Sequence, residues 1–554
     1  MLSRKALGTA FVIALMSTTI PAAQATLFPG FPIDSDRQAA SIEELVDNPF
    51  SFIRNVPFQM AVQAGTAVES PEKTKFCDEF NTHGCNLDSK ADLAISSVLP
   101  VCETVIENCV DKLQIQKADG TVIEAKFLRY FKGKTFVTPA ELGMPGGSRP
   151  SLWQAAGAPN SSGTELYVVN AKLIWTYKSG STDFQSFNAS VYPVKENPNS
   201  KYKDSGIYIG PAFKGEYASV TETGEILYDG SCVATELGNC AQRAEFAPGT
   251  RVTLGMKVSN KMTGWLHGRI AKPDITVKPI NSNLNSLIVS ADVVDVPMMY
   301  AAFNKSEMTK QFVGNYDDSW NLGRGLFGVS FWRQFPPSSD FAMQIVTTLA
   351  SSIKDTATEV HTYWNLSTLQ NPSMNSCMKD SSKLIGFVTT NAMAYSGSAP
   401  TWNGESLEYK VSGLHFLPDG KSLTYGTYDL AMRSDAARCL YGFSNAPISA
   451  SISVTGQDGE QKVATTVVNE KDGWLYLAAY GFTFSAPTVR VKLSQTPVQP
   501  PVQSSPTVST PTTPVVVAKP QTKSKVISIK CSNGKTVKTV SGAKPVCPKG
   551  YKQK

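Results

Sequence analysis

Glu165-Leu-Tyr-Val-Val-Asn-Ala-Lys-Leu-Ile-Trp-Thr176 and then Phe184-Gln-Ser-Phe-Asn-Ala-Ser-Val-Tyr-Pro-Val194 are the runs whose reading decides the fold. Both are rich in β-branched and aromatic residues, and a short polar segment parts them, which is the signature of neighbouring strands. Further runs follow at 206–209, 225–228, 250–258, 263–270, 275–280 and 286–294, with turn residues between them at short intervals. That spacing predicts antiparallel pairing in a sandwich or barrel rather than βαβ units. No glycine-rich strand-to-helix turn is present, so a doubly wound nucleotide fold is not expected.

Outward from this region, Leu113-Gln-Ile-Gln-Lys117 and the run 122–130 flank an Asp119-Gly120 turn and predict a hairpin, with Cys109 at its start. Strands return over 383–493: Ile448, Ala450, Ile452 and Val454 share a parity, and Val489, Val491 and Leu493 alternate with Arg490 and Lys492. Trp474, Tyr476, Ala478, Tyr480, Phe482 and Phe484 share another, read as an aromatic core strand that Gly481 can break. An immunoglobulin-like sandwich is the expected form of this part. Phe341, Ile345, Leu349, Ile353 and Ala357 recur at helical spacing after Pro336-Pro337-Ser338-Ser339, predicting an amphipathic helix over 340–361 with His361 in its last turn, near free carbonyls. A shorter helical candidate lies at 41–46.

The chain thus reads as mainly β, multidomain and disulfide-stapled, with one amphipathic helical insertion. The segments are a signal peptide over 1–25, a Cys-rich β segment over 26–150, an antiparallel β domain over 151–303 and a helical segment over 304–376. The immunoglobulin-like domain over 377–494, a linker over 495–525 and a basic tail over 526–554 complete it. Arg4 and Lys5, the apolar run 10–16 and Ala23-Gln24-Ala25 compose a secretory leader cleaved after Ala25. The run is shorter than the roughly 20 residues that span a bilayer, so a secreted, extracellular or surface-associated protein is expected; retention of the leader as an anchor is the rival.

Ten cysteines follow the leader. In an oxidising compartment the expected pairs are Cys77 with Cys85, Cys102 with Cys109, Cys232 with Cys240, Cys377 with Cys439 and Cys531 with Cys547. Zinc is the competing use of close cysteines, but no pair has the short gap of a zinc knuckle and only His83 lies near, so no metal and no cofactor is expected.

The formal charge of +6 hides a partition. From Lys519 onward stand ten lysines and no acid, and the leader holds two more cations; taking those twelve charges away leaves 26–518 at −6. Between body and tail, prolines at 497, 500, 501, 506, 511, 514 and 520 stiffen a low-complexity spacer able to reach up to roughly 90 Å as polyproline II. A piece as short as the tail cannot fold on a core alone, and the disulfide closing its loop contributes roughly 3 kcal/mol in a chain-entropy treatment. A compact β-hairpin-like knob results. Lysines near an anionic surface are worth on the order of 1 kcal/mol each. Lys530, Lys535, Lys538, Lys544 and Lys549 are the candidate contacts for anionic envelope polymer or a membrane surface, against the bland reading that they keep the tail soluble. Nucleic acid is not expected of an exported tail whose one stacking residue is Tyr551.

The tail wording, Ile529-Lys-Cys531, Gly534-Lys535, Lys538-Thr-Val540 and Lys544-Pro545-Val-Cys547-Pro548-Lys-Gly550-Tyr551, resembles a lysine-rich Cys-x15-Cys module that ends secreted proteins of free-living actinobacteria. Ala437-Arg-Cys-Leu-Tyr-Gly-Phe443 and Leu477-Ala-Ala-Tyr-Gly-Phe-Thr-Phe484 are similar to exported proteins of the same group. The resemblance implies export and carries no particular activity.

Catalytic signatures are sparse. Histidines 83, 267, 361 and 415 lack metalloprotease spacing, and Gly328-Val-Ser330-Phe-Trp332 departs from a nucleophile elbow at its last position. Asp472-Gly473 and Asp458-Gly459 read as turns before calcium ligands. Asp317, Asp318, Trp320 and Trp332 compose a candidate carbohydrate site, since aromatic faces stack on sugar rings and paired carboxylates cleave glycosides; adjacent aspartates more commonly shape turns. Surface binding is the leading expectation, with a secreted polysaccharide hydrolase or a surface-layer subunit as alternatives.

Overall fold

The computed structural model describes residues 37–42, 60–63, 75–77, 92–102, 108–132, 135–178, 180–198, 232–236, 239–304, 332–335, 337–369, 375–379, 383–444, 448–455, 461–462, 465–484, 488–495, 527–532, 537–542, 547 and 551–553. They fall into two compact units, 1–496 and 497–554. The first is mainly β.

Its central element is one broad sheet. From one edge run Thr465–Lys471, Trp474–Thr483, Tyr425–Arg433, Leu384–Thr390, Gly264–Arg269, Asn365–Thr368, Ser181–Asn197, Leu166–Lys178 and Asp92–Val98, and the sheet continues beyond. The β-branched and aromatic runs around Val168 and Val191 form its longest hairpin, paired from Ser181↔Lys178 to Val194↔Leu166. Pairing is antiparallel except between Gly264–Arg269 and Leu384–Thr390, which run side by side in the same direction.

Both faces of this sheet are covered, by different sheets. On one lies a five-stranded sheet ordered Ala271–Pro279, Leu284–Asp292, Arg251–Ser259, Cys109–Gln116 and Val122–Glu124. Its Leu113, Ile115, Val252, Leu254, Leu287 and Val289 meet Tyr167, Val169, Leu173, Phe187, Val191 and Trp474 of the central sheet in a common core. On the other face Tyr428, Leu430, Leu475 and Leu477 meet Leu407, Tyr409, Ile452, Val454, Val489 and Val491, from a sheet that includes Leu407–Ser412, Ile448–Thr455 and Thr488–Gln495. Each fully buried aliphatic side chain contributes about 1.5–3 kcal/mol of transfer free energy, so alternation along these strands is what holds the layers together.

The immunoglobulin-like part of the expectation is not confirmed. Residues 377–494 supply two packed sheets, but the strands Leu384–Thr390, Tyr425–Arg433 and Trp474–Thr483 continue the sheet of Gly264–Arg269. The aromatic parity also divides. Trp474 faces one core while Leu475, Leu477 and Ala479 face the other, and Phe482 and Phe484 join the second group. The switch occurs at Gly481, whose φ of +76° accommodates a bulge opposite Gly426 and Thr427. Gly386 is needed for another reason: a Cβ there would stand 2.3 Å from the Trp265 ring.

Two helical expectations are corrected. The segment 304–376 does contain a helix, Asp340–Leu349, with Ser339 Oγ accepting from Ala342 N as N-cap, but it ends well before His361. Ser352 Oγ bonds the Leu349 carbonyl, and Lys354 and Asp355 take left-handed φ values of +54°, so the chain turns back although Ile353 and Ala357 prolong the apolar pattern. Residue 361 lies instead in the strand Glu359–Tyr363, paired with Val294–Asn304. The candidate at 41–46 is overridden where it is described: Arg37–Ile42 is a strand between Val294–Asn304 and Trp332–Phe335. The Asp119-Gly120 hairpin forms, but only Val122–Glu124 pairs back on Cys109–Gln116; Lys126–Tyr130 crosses to Ser151–Gln154 in the central sheet. A second helix, Ser434–Tyr441, ends on Gly442 in left-handed conformation.

Disulfides join Cys102 to Cys109, Cys377 to Cys439 and Cys531 to Cys547, as expected. Cys240 is also disulfide-bonded. The side chains of Cys77, Cys85 and Cys232 lie outside the described residues, and their expected pairings lie outside with them.

Candidate functional site

The C-terminal unit is built around Ile527–Ser532, a central strand flanked by Val537–Gly542 and Lys552–Gln553, both antiparallel to it. Cys531 on that strand is fully buried and bonded to Cys547, which pins the strand to the chain returning toward the C-terminus. Alternation then leaves Lys530 exposed. Ser532 stands opposite Lys552, which is also exposed, so Lys552 shares the face of Lys530. Lys538 stands opposite Cys531, at the alternate register position. Of the five lysines singled out from sequence, only Lys530 has a described side chain; Lys535, Lys544 and Lys549 lie outside the described residues. Lys552 was missed, because nothing local shows that a two-residue strand closes the sheet.

In the larger unit the ionisable groups gather where residues 359–363 cross the segment after Asn239–Arg243. Glu359 and His361 are alternate residues of one strand and share a face, and Glu245 reaches the same imidazole from the other segment. His361 Nδ1 lies 2.9 Å from Glu245 Oε1 and Nε2 lies 3.0 Å from Glu359 Oε2. Burial alone depresses the imidazole, but these two hydrogen bonds outweigh it and raise its pKa to about 9. It is therefore an imidazolium at neutral pH, and both ring nitrogens donate. Burial pushes Glu245 up, yet the His361 hydrogen bond, the charge of Arg243 and two donors from Thr362 bring it to about 2. Arg243 Nη2 donates to the Thr362 carbonyl at 2.7 Å and its guanidinium covers the Tyr363 ring at 4.1 Å. Asp295, paired with Thr362 across the strands, is raised by burial and by the charge of Glu245. With both nitrogens occupied, the ring offers no lone pair to a substrate or metal. The arrangement is a clamp between segments.

Two other buried groups are similarly structural. Asp429 accepts from Tyr480 Oη, from Thr389 Oγ1 at 3.1 Å and from Lys272 N at 3.3 Å. Burial raises its pKa to about 6 despite these bonds, and it ties the strand Ala271–Pro279 to the central sheet. His267 is buried against Tyr395, with ring centroids 3.7 Å apart and planes 8° from parallel. Burial and then the charge of Arg269 lower its pKa well below the ordinary value, so it is neutral.

Asp317, Asp318 and Trp320, three members of the candidate carbohydrate site, lie outside the described residues. The fourth, Trp332, begins the strand Trp332–Phe335, and its side chain also lies outside the description. Ser330 lies outside as well. Asp472 and Gly473 form the two-residue turn between Thr465–Lys471 and Trp474–Thr483, with φ values of +52° and +77°, as a hairpin requires. Among the described residues, no group of three or more His, Cys, Asp or Glu is placed to hold a metal ion, and no helix is long and apolar enough to cross a membrane. Comparison of the chain with protein-family models, with curated proteins and with solved structures finds no match.

Proposed function

We propose that this is an exported protein that binds at a cell surface, its lysine-rich C-terminal unit holding it electrostatically to anionic envelope polymers. The observation that carries the reading is the separation of charge by unit. Residues 497–554 compose a compact unit of their own, with a disulfide-stapled sheet, ten lysines and no acid. The disulfides support an oxidising compartment and hence the leader's implication of export. A body of net charge −6 is repelled by an anionic surface, whereas a unit carrying ten lysines and no acid is attracted to it.

The test uses the full chain and a chain lacking residues 526–554, each mixed with isolated cell envelopes. The full chain is expected to sediment with envelopes at low salt and to be released by about 0.5 M salt, where the screening length is shorter than the gap between charges. Equal sedimentation of the two chains, or retention through the salt wash, sinks the proposal.

A further inference from the structure

The three-stranded sheet of the C-terminal unit does more than display lysines at random, because it fixes which of them share a face. Lys530 lies on the central strand, and the register Ser532↔Lys552 sets Lys552 diagonally beside it on the neighbouring strand. Diagonal neighbours in an antiparallel pair stand about 7–8 Å apart. Both side chains are exposed, while the intervening Cys531 is buried and disulfide-bonded. Residues 552–553 are thus a strand of this sheet, with Lys552 on the face of Lys530 and Gln553 on that of Cys531.

We propose that Lys530 and Lys552 form a paired-cation site for successive phosphates of a phosphodiester polymer; the inference rests on the electrostatic attachment proposed above and names its partner. Three features favour a phosphodiester polymer. The cations of the unit are all lysines, and a lysine meets each phosphate as a point charge, with no bidentate match to orient. Two fixed cations set diagonally across strands suit a linear chain of regularly spaced charges. A bilayer surface would call for apolar and aromatic residues to enter the interface, and Tyr551 is the one aromatic residue among 526–554.

The experiment measures binding of the full chain to a poly(glycerol phosphate) of defined length at low salt. Lys530→Ala and Lys552→Ala are each expected to weaken binding about fivefold, the worth of one lysine near an anionic surface. Lys530→Arg and Lys552→Arg should restore most of it, showing that charge at those positions, and not the fold of the sheet, was lost. Lys519→Ala and Lys523→Ala, on the spacer, should change binding less than about twofold, since neither belongs to the paired face. Equal losses at all four positions would overturn the paired site and leave diffuse attachment standing; no loss on removing residues 526–554 would overturn the attachment itself. Polyglutamate binding as tightly as the phosphate polymer would overturn the phosphodiester assignment. Tighter capture by vesicles containing anionic phospholipid would overturn the polymer in favour of lipid.

Discussion

Removing the His361 clamp should remove a pH-dependent part of the body's stability. The imidazole's pKa is about 9 in the folded chain against 6.5 for the free group, so the folded state binds its proton more tightly. Stability from this source is fully present below pH 6.5 and is lost as pH rises through 9. Complete linkage over that interval would amount to roughly 3.4 kcal/mol. The imidazole is 33% exposed and its glutamate partners 35% and 40%, so solvent screens the pairs and we expect about 1–2 kcal/mol. The variant His361→Gln places no cation between Glu245 and Glu359 at any pH, as the deprotonated parent does, while Arg243 stays beside Glu245 in both. Urea denaturation of both chains at about pH 6.5, 7.5, 9 and 10 gives the comparison, and the difference between them cancels other titrating groups. The parent should exceed the variant by about 1–2 kcal/mol at the lowest pH, with the gap closing by about pH 10. A gap that stays constant across the series would refute the assignment of His361 as a folded-state imidazolium.

Other perturbations have equally definite signs. Asp429, raised to about 6 from 3.8, makes the folded chain lose stability as pH rises from about 4 to 6, and Asp429→Asn should abolish that slope in denaturation midpoints. Gly386→Ala forces a Cβ onto the Trp265 ring and should lower unfolding free energy by about 1–3 kcal/mol, read by calorimetry together with near-ultraviolet tryptophan signals. Replacing Cys377 and Cys439 by alanine opens a loop of 62 residues and should cost about 4 kcal/mol on chain entropy, whereas opening Cys531–Cys547 should leave the body's unfolding midpoint unchanged because that bridge lies in the other unit.

The contrast between what the sequence reveals and what it conceals follows from the range of the interaction involved. Alternation is local: Val489, Val491 and Leu493 must lie on one side of an extended chain, and the structure buries them together. Tight turns are local too, which is why Asp472-Gly473 was readable as a hairpin. Alternation does not say how many faces are covered, however, and Trp474–Thr483 lies in a sheet packed on both sides, so its second parity, Leu475, Leu477 and Ala479, is fully buried while Tyr476 and Tyr480 of the aromatic parity are half-buried. Periodicity failed in the opposite way at Ile353 and Ala357. They continue the helix's apolar stripe because the chain turns back beyond Leu349, through the left-handed Lys354 and Asp355, and packs Ile353 and Ala357 on the same core as the helix. The clamp was hidden for a third reason: Glu245 and His361 are 116 residues apart, and only the meeting of two strands' ends makes them partners. The same holds for Lys530 and Lys552. Counting lysines shows that the tail is cationic, but only strand register decides which charges stand side by side, and a polymer of spaced phosphates distinguishes those two descriptions.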